Sequence, residues 1–178
     1  MQAFWAKGYE ATSLADLMAA TRLHKGSLYQ AFGDKHALFL ASLKRYLDEM
    51  RRSARRALDG GASPLDGLRN LGHAMIEMTD TTGDEPSGCM AINALVELAP
   101  HDADVRQILL EHVGHMRAAI EQTVGKAQAA GQIGKDRPAE LVAGMLMTFV
   151  AGLGTTIKCY IDKQQAHALF DQQLEVLL

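Results

Sequence analysis

SLADLMAATRLHKGSLYQAFGDK, residues 13–35, carries two short amphipathic segments joined by a tight corner. Leu14, Leu17 and Met18 recur at i, i+3 and i+4, which gives the first segment one apolar face. Ser13 stands just before it with Asp16 three residues on, a pattern that caps the free N–H groups at a helix start. The corner falls at Thr21–Arg22–Leu23. In the second segment Leu23, Leu28 and Phe32 are expected to face inward, leaving Lys25, Ser27 and Gln30 outside. A helix this short has to lean on its neighbours. Its outer face is small, basic and hydroxyl-bearing, which suits the major groove of a duplex better than a catalytic pocket.

The ordered set Phe4, Gly8-Tyr9-Glu10-Ala11-Thr12-Ser13, Leu17, Ala20, Lys25-Gly26-Ser27-Leu28-Tyr29, Phe32, Asp34-Lys35 and Leu38-Phe39 resembles the DNA-binding domain of TetR-family repressors. The resemblance covers roughly the first quarter of the chain. It implies an all-α fold: an N-terminal three-helix helix-turn-helix domain followed by a helical ligand-binding and dimerisation domain. It also implies a homodimer formed by the last two helices, about 138–177, and a palindromic double-stranded DNA operator. Two positions depart from the family pattern. Arg22 replaces the usual corner glycine, and a side chain at positive φ costs on the order of 1 kcal/mol. His24 replaces the usual serine or threonine before the recognition-helix lysine and is a poorer cap.

Candidate DNA contacts follow position by position. Lys25 can reach a phosphate or a guanine, Gly26 lets the backbone approach closely, and Ser27 can donate to either. Tyr29 resembles the family's phosphate-binding tyrosine. Thr12 and Ser13, at the start of one helix, are expected to grip a phosphate with help from the helix dipole, and Lys35 to grip another. His24 and Gln30 are the expected sources of sequence preference.

Charge divides the chain in the same place. Residues 1–58 hold 10 Lys and Arg against 5 Asp and Glu, whereas residues 59–178 hold 8 against 16. A basic module for an anionic polymer beside an acidic body fits that split. Apolar residues make up 48% of the chain and aromatic ones 6%, and the abundance of Ala, Leu and Met favours helix over sheet. The two cysteines, Cys89 and Cys159, form no disulfide framework, and a cytoplasmic location is expected. No signal peptide is read at the start. The one long uncharged run, Leu141 to Ile157, reads as a core or dimer helix rather than a membrane span.

About nine helices are expected. Met1 to Lys7 reads as the tail of a helix anchored by Phe4 and Trp5 and ended by Gly8. Family members start this helix earlier, so either the native N-terminus is longer or the helix is short. The expected divisions are residues 1–34 for the DNA-binding domain, 35–58 for a connecting helix begun at Asp34, and 59–178 for the body. Gly60-Gly61-Ala62-Ser63-Pro64 marks the boundary, with Ser63 a cap and Pro64 in the first turn. Thr81 to Ser87 reads as a polar loop. Helices then follow at Cys89–Leu98, Asp102–Ala130, Pro138–Tyr160 and Lys163–Leu177, with Asp102 and Asp136 as caps. Ala143, Gly144, Ala151, Gly152 and Gly154 would allow close approach between copies.

The body is expected to bind a small-molecule inducer. Met75, Met78, Met90, Met116 and Met147, with Cys89, would line an adaptable apolar cavity. Cys89 also opens a helix, where a thiolate is favoured, so a redox- or electrophile-sensing regulator acting through Cys89 is the alternative reading. Packing that needs a small residue there is the favoured explanation of Cys89, and Cys159 reads as packed. His112 and His115, with Glu111, share one helix face but lack a third convergent metal ligand. No metal or cofactor is expected. No nucleophile elbow, phosphate loop or carboxylate pair points to an enzyme. A small helical enzyme or metal-binding protein is the more distant alternative, and it predicts turnover or stoichiometric metal.

Overall fold

The computed structural model describes residues 1–79 and 87–176, and the loop expected at Thr81 to Ser87 lies outside them except for its last residue. Nine α-helices follow in order among the described residues. They are α1 (Gln2–Lys7), α2 (Leu14–Thr21), α3 (Lys25–Phe32), α4 (Lys35–Asp59) and α5 (Pro64–Glu77), then α6 (Met90–Glu97), α7 (Ala103–Ala129), α8 (Ala139–Thr156) and α9 (Lys163–Val176). The fold is all-α.

Local chemistry sets most of the starts. Ser13, Asp34, Ser63 and Asp102 each accept a backbone N–H two or three residues on, as their sequence positions predict. The start of α8 differs. Pro138 begins α8 without a side-chain bond, while Asp136 pairs with Arg137 instead of capping.

The small N-terminal layer is α1–α3 set on the start of α4. Phe4 is its anchor, edge-on to Phe39 with ring centroids 5.2 Å apart, and Leu17 and Leu28 close the same core. Two residues expected there are outside it: Leu23 and Phe32 are each 40% exposed. Leu23 precedes the His24 N-cap, so helical periodicity does not govern it, and Phe32 ends α3 with only part of its ring covered.

Helix α4 leaves this layer and runs into the body, packing chiefly on α5 and α7. Its buried stripe of Leu38, Phe39, Leu43, Tyr46, Leu47 and Met50 serves both cores. In the body α5 is held between α4, α7 and α9, and α8 packs on α7. The α5–α9 approach is close because residue 72 is glycine: a Cβ there would strike the Phe170 ring.

Candidate nucleic-acid interface and internal cavity

The capping box that starts α2 is complete. Asp16 N–H donates to Ser13 Oγ (3.1 Å), and Ser13 N–H donates back to Asp16 Oδ2 (2.8 Å). Lys7 adds an ion pair at 2.5 Å. Hydrogen bonds from Lys7 and Ser13 hold the Asp16 carboxyl far below the usual carboxylate range. At the corner Arg22 adopts φ 56° and ψ 24°, the left-handed conformation in which a glycine would be at ease. His24 caps α3 in position only, with no side-chain bond to the helix, so its exposed ring is uncommitted there.

Beyond that corner Lys25, Gly26, Ser27 and Gln30 are all exposed on α3, and Tyr29 is half-buried. The Lys25 ammonium lies 5.8 Å from the Tyr29 ring centre. Nothing in the protein would meet a Cβ at Gly26, which leaves room there for a partner's approach. Lys35, at the start of α4, sits 4.5 Å above the Tyr9 ring and donates to the Glu10 carbonyl at 3.4 Å. Thr12 departs from expectation. It is fully buried, with its hydroxyl donating to the Gly8 carbonyl at 2.5 Å, so it braces the α1–α2 turn and presents nothing to a phosphate.

Three contacts, none of them expected from sequence, tie this layer to the body. Glu97 accepts the backbone N–H groups of Tyr9 (3.1 Å) and Glu10 (2.9 Å) through its two carboxylate oxygens. The Trp5 indole donates to the Gly88 carbonyl at 2.9 Å. His36 pairs with Asp102 at 2.7 Å. Burial raises the Asp102 pKa, but the Val105 N–H, His36 and the Asp104 N–H outweigh it and the net shift is downward. Glu97 alone left a trace in the sequence. It is an acid at a helix C-terminus, where the dipole disfavours negative charge, and two N–H donors from another element offset that.

Behind α6 the body holds an apolar cavity of about 190 Å³, open on the side of Leu95, Val113 and Ala151. Met75, Cys89, Met116 and Met147 line it as expected, but Met78 and Met90 do not. Helix α6 turns Ala91, Ile92 and Leu95 towards the cavity, which puts Met90 and Ala94, one turn apart, on a neighbouring face buried in the core. Met78 follows the end of α5 and packs half-buried against that core.

Cys89 is 7% exposed, and the Tyr46 hydroxyl donates to its sulfur at 3.5 Å. Burial and the neighbouring Cys89 push the Tyr46 pKa up. A thiol so enclosed is a wall residue, and this geometry does not favour the sensing alternative. Cys159, expected to be packed, is exposed beyond the end of α8.

His112 lines the same cavity, and its Nδ1 is buried without a hydrogen-bond partner. Burial, with Arg51 and His115 nearby, lowers its pKa to about 4. His115 is exposed, with Nδ1 3.4 Å from the Arg51 guanidinium, so the two histidines serve different surroundings. Among the described residues one group, His36, Asp102 and Asp104, lies within metal-ligating reach, and Asp102 is already committed there to capping α7 and pairing His36.

The outer faces of α8 and α9 form a long apolar groove that includes Leu141, Met145, Phe149 and Leu169. Helix α8 is long and apolar enough to cross a membrane by length and composition, yet its uncovered side is this groove. Gly144 and Gly152 lie in the groove with open space above them. Ala143 and Gly154 are instead buried on the inner side, and Ala151 lines the internal cavity. The eighteen-residue helix thus divides its small residues between two faces.

Residues 1–42 match the family described as bacterial regulatory proteins, tetR family. Residues 64–172 match the tetracyclin repressor-like C-terminal domain. The HTH-type transcriptional repressor ComR of Escherichia coli is 30% identical over 158 residues, covering 89% of this chain and 75% of that protein. The HTH-type transcriptional repressor DhaR of a Mycobacterium species is 27% identical, covering 99% and 87%. Among solved structures, a triple cysteine mutant of the TetR family regulator CifR, complexed with 26 bp double-strand operator DNA, superposes with a TM-score of 0.84. It is 28% identical and covers 99% of this chain and 91% of that one.

Proposed function

The chain belongs to the TetR family of bacterial regulatory proteins and is a DNA-binding transcriptional repressor, and on that premise we propose how it works. Two copies pair through the α8–α9 groove and present their α3 helices to successive major-groove faces of a palindromic operator. Lys25 contacts a phosphate or guanine. Ser27, Tyr29, Ser13 and Lys35 grip the backbone around it, and Gly26 lets the strands come close. His24 and Gln30 supply the sequence preference. The observation that carries this reading is the exposed row of Lys25, Gly26, Ser27 and Gln30 on a helix anchored from behind by Leu28.

A small molecule in the body cavity releases the operator. It can do so only if it binds the DNA-free arrangement better than the DNA-bound one. Helix α6 is suited to carry the signal, because Ile92 and Leu95 form cavity wall while Glu97 holds the Tyr9 and Glu10 amides. Helix α4 provides a second rigid link. The work takes place in the cytoplasm, where the DNA is, and residues 1–34, 35–58 and 59–178 act as reading head, connector and sensing body.

The test is a titration of operator DNA with point variants. Lys25→Ala should weaken binding about tenfold or more and lower the salt slope by about one. Gln30→Ala should relax preference at one base position while costing less overall. Unchanged affinity and salt slope in Lys25→Ala would contradict the assignment of α3.

A further inference from the structure

The cavity's polar inventory is short. Among the described residues three side chains of its wall, Thr79, Cys89 and His112, carry polar atoms, and none carries a formal charge once His112 is neutral. The first two are engaged: Thr79 donates to the Ile76 carbonyl at 2.6 Å, and Cys89 accepts from Tyr46. His112 is different. It is 8% exposed and its Nδ1 has no partner. The ring lines the cavity while Nδ1 is covered and unpaired; an unpaired buried imidazole nitrogen is a standing cost, which a bound molecule whose hydroxyl reaches the ring would relieve.

Resting on the reading of this cavity as the inducer site, we propose that the inducer is a compact, uncharged, largely apolar alcohol or phenol whose hydroxyl pairs with the His112 imidazole. Size supports this. An apolar cavity of about 150 Å³ takes one benzene ring, so about 190 Å³ accommodates a ring and a short arm. Chemistry narrows it further. A neutral imidazole offers one donor and one acceptor, and a hydroxyl can serve either tautomer. A carboxylate would bring a charge onto an apolar wall that holds no cation, because Arg51, the guanidinium near His112, is not part of that lining. A pure hydrocarbon would fill the space and leave the nitrogen unpaired.

Toluene, benzyl alcohol and benzoate differ in that one group and can be titrated into the full-length protein near neutral pH by calorimetry. Benzyl alcohol should bind about tenfold or more tighter than toluene, and benzoate should bind weakest. His112→Phe should bring benzyl alcohol down to the level of toluene. His112→Gln, which keeps a donor and an acceptor, should retain part of the preference and guards against misfolding of the Phe variant. Equal binding of toluene and benzyl alcohol, or a preference unaltered in both variants, would overturn the hydroxyl–His112 pairing while leaving the cavity as the ligand site. Benzoate binding tightest would overturn the neutral class. Failure of all three probes to bind would overturn both the proposal and the cavity reading beneath it.

Discussion

Arg22 occupies the left-handed region at φ 56°, where a β-carbon crowds the following carbonyl at a cost of about 1 kcal/mol. Arg22→Gly should therefore stabilise the free protein by up to about 1 kcal/mol, seen as a higher thermal midpoint. A lowered midpoint would mean that the arginine side chain contributes more than the backbone loses. His112 sets a second prediction. Its pKa is about 4 when folded against 6.5 ordinarily, so the unfolded chain takes up the proton more readily. Its contribution to stability is complete above about pH 6.5 and is lost as pH falls towards about 4, with a slope of at most about 1.4 kcal/mol per pH unit. Urea unfolding across that range should be flatter for His112→Phe, and an identical slope would contradict the assignment. These two residues mark what sequence can show. Arg22 was legible because the corner's geometry is local. His112 was visible as one of two histidines sharing a helix face with Glu111, but which cavity it met depended on α5, α6 and α8 arriving around it. Thr12 misled for the same reason: a hydroxyl at a helix start reads as outward until α1 folds over it.

Helix α6 shows how an element can join two functions. Only eight residues long, it cannot be stable alone, and its two ends are held by different partners. Cys89 and Ile92 face the body at one end, and Glu97 grips the α1–α2 turn at the other. Glu97→Ala should expose the Tyr9 and Glu10 amides, and hydrogen exchange there should rise about tenfold or more. Unchanged protection would mean that the turn holds itself. The α5–α9 pair is tested by Gly72→Ala, whose Cβ would strike Phe170. The helices must part, at a cost of about 1–3 kcal/mol, and an unaltered denaturation midpoint would contradict that packing. At this scale caps and breaks are readable, since Ser13, Asp34, Ser63 and Asp102 act on bonds within their own turn. The faces of α8 were not, because its composition is apolar nearly all round and only the packing of α7, α5 and α6 against it decides which side is inner.

For the molecule as a whole, the groove of Leu141, Met145, Phe149 and Leu169 is an apolar face that a second copy would cover. Met145→Glu with Leu169→Glu should give a monomer by sedimentation, with operator binding lost although α3 is untouched. Persistence of the dimer would move the interface elsewhere. The most direct test of the account is selection from a pool of random duplex DNA at two salt concentrations, followed by sequencing and by weighing the complex. Two chains should hold a palindrome whose half-sites lie about one helical turn, or a small multiple of it, apart. Affinity should fall steeply with salt. If no sequence is enriched, or a single chain holds an asymmetric site, the paired α3 helices are not what reads the DNA.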